Sequence, residues 1–438
     1  MLSGWGRYPQ QPCDVSVPRT EGDLQALLHK GPLIGRGNGR GYGDCALNQA
    51  NTVDMRRFDR MLAFDETTGQ LVTEAGVLLA DIISSFLPRG WFPAVTPGTK
   101  FVTVGGMVAA DVHGKNHHRD GSFGSFIDWI EILGADGVVQ HCSPHENAEL
   151  FAWTIGGMGL TGIIMRAAFR LRRVETGWIR QRSIPARDLD TVMALFEDNA
   201  EASYSVAWID CLADGAHLGR SALTLGEHAT RSELCAQQRS APFHTPRLTT
   251  LNIPFAPPFT PLNRLTIKAF NTAYWRASIA RQGERLVGWD AFFYPLDAIA
   301  NWNRIYGRKG FMQFQCALPL EAARAGLSGL LGAIASSGQG SFLAVLKRLG
   351  PGHGPISFPI EGYTLALDFP VSPKNLDLML RLDRIVIDHG GRFYLAKDSR
   401  MTAETLRLSD KRVAGFVAMR TATGASHFQS SQSQRLGL

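Results

Sequence analysis

Three stretches of the chain concentrate residues able to hold or transform a ligand. GRGNGRGYGDC, residues 35–45, sets five glycines among two arginines, an asparagine, a tyrosine and an aspartate. Such a loop brings backbone amides close to something anionic, because glycine has no Cβ to hold the chain away. TPGTKFVTVGGMVAADVHGKNHHRDGSFG, residues 96–124, adds six glycines beside Thr99, Thr103, Lys115 and Asn116. Its backbone can pass close to a flat or extended ligand, although ordinary surface turns use glycine in the same way. In GGRFYLAKDS the amine of Lys397 either stabilises negative charge or stands in solvent, the usual fate of lysine.

Standard nucleotide loops fail here. No frame within residues 35–44 gives G-x-G-x-x-G, and no Gly-Lys-Ser/Thr follows. Gly157-Met-Gly159-Leu-Thr-Gly162 matches literally, but it follows a helical pattern and precedes a strand-like one. That order is the reverse of the strand, loop and helix that aim a helix N-terminus at pyrophosphate. His113 and His117 have a ligand-like spacing with His118 beside them, yet Gly114 disfavours a helix and no cysteine lies near, so no metal is expected.

The elements around these stretches read as α+β. GPLIGRG, NTVDM, QLVTEAGV, FVTVGGMVAADVHG and IDWIEILGADGVVQHC read as strands cut by glycine turns, with helices at LLADIISSFLPRG and HENAELFAWTIGG. Turn chemistry changes at Val174 to Gly177. ASYSVAWIDCLA, GFMQFQCALPL and GYTLALDFPV then alternate as half-buried antiparallel strands would. Residues 241–282 hold six prolines and read as one long loop, and the chain ends in a strand, a capped helix and polar residues.

At 438 residues and 45% hydrophobic composition the chain suits two domains. The excess of 45 Lys+Arg over 39 Asp+Glu is scattered, so nucleic acid is not an expected partner. Six cysteines without a CxxC pair fit a reducing compartment, and with no signal-like N-terminus or apolar span the expected location is cytoplasmic, with peripheral membrane contact open.

Taken in order, GRGNGRGYGDCALN, TPGTKFVTVGGMVAADVHGKNHHRDGSFG, GGMGLTGII and GGRFYLAKDSRMTAET resemble the flavin oxidoreductases of the vanillyl-alcohol-oxidase type, with their PCMH-type FAD-binding fold. The resemblance runs from Gly4 to the C-terminus. It implies a two-part FAD-binding domain, residues 1–176 completed by 392–438, and a substrate domain, residues 177–391, built on an antiparallel sheet with flanking helices. It also implies that Gly35, Arg36, Gly37, Asn38, Gly39, Arg40, Gly41, Tyr42, Gly43, Asp44 and Cys45 wrap the FAD pyrophosphate. Gly98, Thr99, Thr103, Val104, Gly105, Gly106, His113, Gly114, Lys115, Asn116, Ile164 and Tyr394 match the other flavin contacts. Relatives that attach FAD covalently carry a histidine in the first loop, where this chain has Arg40-Gly41-Tyr42, so FAD is expected to be non-covalent.

The branch of this family with the most similar motifs implies oxidation of the 2′-hydroxyl of a polyprenylphosphoryl-β-D-ribose, the first half of epimerisation to an arabinose donor. A separate NAD(P)H-dependent keto-sugar reductase would complete it. Oxidation of a soluble alditol or aldonolactone is the alternative that shares the architecture. Lys397 and His113 match the catalytic positions, and Trp208, Asp210, Tyr306, Gln313, Gln315 and Lys347 match the substrate pocket. Ala366 stands where the branch carries the cysteine trapped by nitroaromatic inhibitors, so this chain is expected to escape that adduct. Ile253, Phe255, Phe259, Leu262 and Trp275 are candidates to receive a prenyl tail or touch a membrane surface.

Overall fold

A computed structural model describes residues 1–246, 250–258 and 261–438. Near the N-terminus three short parallel strands lie in the order Val15–Ser16, Thr52–Asp54, Ile34–Arg36. Helix Glu21–Leu28 starts at Thr20, whose side chain accepts from the Asp23 amide while Asp23 reaches back to the Thr20 amide. Its Leu24, Leu27 and Leu28 pack on Leu33 and Val53, which fixes the strand that runs directly into the glycine loop.

A six-stranded antiparallel sheet follows, built around Ile163–Arg173, which pairs with Ile127–Leu133 on one side and Gln70–Glu74 on the other. The sequence reading of FVTVGGMVAADVHG as a strand is corrected here: Val104–Ala109 is a helix. Thr103 caps it by accepting from the Gly106 amide at 3.3 Å. Val104, Met107 and Val108 are fully buried at the i, i+3, i+4 spacing of one helical face, a period that the β-branched residues masked.

The second sheet has eight strands in the order Gly283–Gly288, Trp178–Ala186, Ser221–His228, Tyr204–Ile209, Ala344–Leu349, Gly362–Pro370, Phe311–Pro319, Arg392–Phe393. Helices Leu189–Asp198, Leu320–Ser337 and Pro373–Asp388 cover one face and bury the largest apolar core. Strands Phe311–Pro319 and Gly362–Pro370 are buried along most of their length rather than half-buried, because the helices cover one face and residues such as Tyr42 and His113 meet the other. Residues 241–282 are not one loop. Helix Arg264–Ala280 occupies the last part, capped by Asn263, which accepts from the amides of Leu265 and Thr266. All six prolines of the stretch precede residue 262, and the proline density masked the helical pattern behind them. Phe259 lies outside the described residues.

The polar tail expected at the C-terminus is instead two further helices, Val413–Ala422 and Ser431–Leu436, after Ala403–Ser409. Buried Arg420 donates to the carbonyls of Leu160, Ala425 and Phe428. Arg420→Met should leave these carbonyls unsatisfied and cost about 3 kcal/mol, read as a lower urea midpoint with an unchanged slope. Arg435 joins the last helix to Asp44 at 2.7 Å and to Asp398 at 2.9 Å. Among the described residues no helix is long and apolar enough to cross a membrane, and no cluster of His, Cys, Asp or Glu could hold a metal ion.

Candidate active site

Between the two sheets lies a cavity of about 350 Å³. Its walls come from distant parts of the chain, among them the glycine loop, the Pro97–Gly106 segment, residues 158–164, Leu296 and Asp297, and the open face of the eight-stranded sheet with Tyr394, Ala396 and Lys397.

In the glycine loop the polar side chains hold the loop itself. Arg36 donates to the Ser3 carbonyl at 2.8 Å, Asn38 to the Phe101 carbonyl at 2.8 Å, and the Arg40 guanidinium lies 4.1 Å from the Trp5 ring centre. The backbone is left to face the cavity. Gly39 has φ +64°, and a Cβ built at Gly98 would meet nothing within 4 Å. The acids beside the loop are neutralised, Asp44 by Arg435 and Asp54 by Arg56. A glycine backbone flanked by two arginines, with open space where a Cβ of Gly98 would stand across from it, fits the diphosphate of FAD.

The opposite end is built for a reacting ligand. Gln313, Gln315, Lys347 and Ala366 line it from three neighbouring strands. Gln315 Nε2 donates to His113 Nε2 at 3.1 Å and to Thr364 Oγ1 at 3.3 Å. That bond makes His113 Nε2 the acceptor, so the ring proton rests on Nδ1, a buried atom with no partner among the described residues. Burial and the nearby Lys347, His117 and Lys397 keep this imidazole neutral, far below its ordinary pKa. The Lys397 ammonium sits 3.7 Å above the Tyr42 ring centre. Desolvation lowers its pKa, Asp368 opposes that shift and Lys347 adds to it. Lys347 is brought down to about 8 by desolvation alone.

Other candidate positions fall behind the wall. Trp208 donates its indole N–H to the Phe342 carbonyl at 3.3 Å and packs on Tyr274, while Asp210 is engaged by Arg220 and by Asn271 at 2.7 Å. Neither lines the cavity. Tyr306 stacks on Phe311 with centroids 4.3 Å apart and leaves its buried hydroxyl unpartnered. The Lys115 amine donates to the Phe292 carbonyl, and Asn116 Nδ2 donates to Ala94 O at 2.8 Å and Asp120 at 2.7 Å. Gly43, Asp44, Val104 and Gly114 also stand outside the lining, whereas Gly98, Thr99, Thr103, Gly105, Gly106, Ile164 and Tyr394 are in it. His117 accepts from the Gly350 amide and His118 pairs with the Ala202 carbonyl, so the three histidines face separate partners.

Several lining residues were not anticipated. Gly159 and Gly162, dismissed as a Rossmann site, line the cavity on a loop that leads into strand Ile163–Arg173. Asp297 accepts from Thr99 Oγ1 at 3.1 Å and from the Lys100 amide at 2.9 Å, tying the turn at Pro295–Ala298 to the Pro97–Gly106 segment. No local spacing betrays such a long-range pairing.

Ala366 presents no thiol, and the cysteine that does line the wall, Cys45, is buried with its thiol pushed up to about 12 by desolvation. Thiolate is the reactive form. A thiol-directed electrophile soaked into the cavity should therefore leave the intact mass at Cys45 unchanged, whereas Ala366→Cys should gain one adduct.

The sequence that builds this site is similar to those of known proteins. An FAD binding domain family matches residues 15–143. Decaprenylphosphoryl-beta-D-ribose oxidase of Mycolicibacterium smegmatis is 36% identical over 100% of this chain and 97% of its own length. L-gulonolactone oxidase of Mus musculus is 27% identical over 30% of this chain, and cytokinin dehydrogenase 5 of Arabidopsis thaliana 31% identical over 40%.

Proposed function

The chain belongs to the decaprenylphosphoryl-beta-D-ribose oxidase family of FAD-dependent oxidoreductases, and from that membership we infer that it oxidises the 2′-hydroxyl of a polyprenylphosphoryl-β-D-ribose to the 2′-keto sugar. The observation that carries this reading is the continuity of one cavity from the amide cradle to a wall of two amides, one neutral imidazole and two lysines. When bound, FAD supplies the hydride acceptor for the C–H bond.

The chain supplies position and charge. Lys347, a cavity lysine shifted by desolvation, takes the substrate phosphate. Gln313 and Gln315, two residues apart on one strand, hold the ribose hydroxyls. Lys397, its ammonium made costly by burial, has a neutral fraction able to take the hydroxyl proton and then stands as a cation where negative charge gathers. His113 donates from Nδ1 and fixes the ligand oxygen nearest it.

We hold FAD to be non-covalent in this chain, since the glycine loop has no histidine. Acid precipitation that left flavin on the protein pellet would refute this. Partners follow from the chemistry: a reductase using NAD(P)H to consume the keto sugar, and a membrane surface to deliver the prenyl tail. Helix Arg264–Ala280 supports the second, exposing Leu265, Phe270, Tyr274 and Ile279 among Arg264, Lys268, Arg276 and Arg281.

The test is anaerobic addition of a short prenylphosphoryl ribose, and separately of free alditols, to the yellow protein. Bleaching by the lipid sugar is expected, and bleaching by the alditols alone would favour the soluble-substrate reading. A pH dependence follows as well. The Lys347 ammonium is present below about 8 and is lost above it, so kcat/KM should fall about tenfold as pH rises through that value. Lys347→Arg, which stays charged, should flatten that fall.

A further inference from the structure

Strands Phe311–Pro319 and Gly362–Pro370 pair in a register that sets Gln313 opposite Asp368 and Gln315 opposite Ala366. Side chains of Thr364, Ala366 and Asp368 share one face, so each cavity glutamine has a polar neighbour behind it. Thr364 serves Gln315, and Asp368 accepts from Gln313 Nε2 at 2.5 Å. Asp368 itself is 1% exposed and does not line the cavity. Its second oxygen, Oδ2, is buried without a partner among the described residues.

A carboxylate accepts and does not donate, so it turns the NH₂ of Gln313 inward and leaves the amide carbonyl for the cavity. Gln313 on the paired strand bonds Asp368 directly, and the titratable groups that feel its charge are Tyr42 on the glycine loop, Tyr306 on the segment Trp302–Tyr306, and Lys397 near the C-terminus. Lys397 is the one cation among them. Asp368 is the carboxylate that favours its charged form, against burial and Lys347.

We propose that Asp368 is a positioning residue that acts through two cavity side chains: it orients the Gln313 carbonyl toward a ribose hydroxyl, and it supplies the counter-charge when Lys397 takes the hydroxyl proton. The inference rests on the reaction inferred above. In that step the substrate O–H bond breaks and an N–H bond forms on Lys397, while the C–H bond breaks with its electron pair passing to the flavin oxidant and a C=O bond remains. Burial raises the Asp368 carboxyl to about 7, and the ammonium produced on Lys397 draws it back toward its ionised form, so the two charges support one another.

Asp368→Asn and Asp368→Leu separate the two roles. An asparagine can still offer an oxygen to Gln313 Nε2, but it brings no charge. Asp368→Asn should therefore keep KM near the parent value, lower kcat, and move the acid limb of the kcat profile down by about one pH unit, because the Lys397 ammonium has lost its carboxylate. Asp368→Leu should do this and also raise KM about tenfold, through loss of Gln313 alignment. Titration calorimetry with an unreactive prenylphosphoryl 2-deoxyribose, run in buffers of different ionisation enthalpy, should show altered proton exchange on binding to Asp368→Asn. If the leucine variant does not fold with bound flavin, the asparagine variant alone decides. Parent acid limb and proton exchange in Asp368→Asn would overturn the proposal, as would a parent KM in a folded Asp368→Leu. Failure of the parent protein to oxidise the prenylphosphoryl ribose would instead sink the functional reading beneath it.

Discussion

Replacing Lys397 by methionine should lower kcat by about 10²- to 10³-fold while the protein stays yellow. Methionine keeps most of the volume against the Tyr42 ring, 3.7 Å from the present Nζ, so the wall should hold its shape. What is lost is a base able to take the hydroxyl proton, together with the positive charge that appears once it has done so. Lysine suits both tasks here because desolvation brings its pKa down from the ordinary range, leaving a neutral fraction that an exposed lysine lacks. Stopped-flow reduction of the bound flavin measures the step directly, and an added small primary amine should restore part of the rate. Reduction within tenfold of the parent rate would remove Lys397 from the proton transfer.

Gly37→Val should yield a colourless protein. A Cβ on Gly37 would lie 2.1 Å from Thr103 Oγ1 and 3.2 Å from Thr103 Cβ, so either the glycine loop or the Thr103 cap has to move. Thr103 caps the helix whose first residues form the facing wall, and the displacement would spread to both sides of the cradle. Overpacking of this order costs about 1–3 kcal/mol, and spent against cofactor affinity it weakens FAD binding by up to about 100-fold. Titration of the refolded protein with FAD, followed by flavin fluorescence, gives the affinity. Thermal unfolding in excess FAD shows whether the fold itself survives. Full flavin occupancy after purification would show that the loop and the cap do not share that contact.

Much of the cofactor end was readable from the sequence because its determinants are local. The glycines of residues 35–41 and 98–106 occur in short runs, and their meaning is a property of the backbone at each position. Gln313 and Gln315 were readable for the same reason, since a period of two puts them on one face. Helix Arg264–Ala280 was obscured by prolines that precede it, and helix Val104–Ala109 by valines and glycines whose propensity tertiary packing overrides. Asp368 and Asp297 escaped notice because their partners lie far away in sequence. The signal for Asp368 was nonetheless present: a lone carboxylate inside the apolar strand GYTLALDFP needs a partner to be buried. Trp208 and Asp210 show the converse, their polar groups being occupied by Phe342, Arg220 and Asn271.

The cradle begins at Gly35, yet Tyr394 and Lys397 complete its wall and Arg435 neutralises Asp44 beside it. During synthesis the glycine loop therefore leaves the ribosome long before the groups that close the cavity around it exist. A finished seat for the flavin therefore needs residues from both ends of the chain.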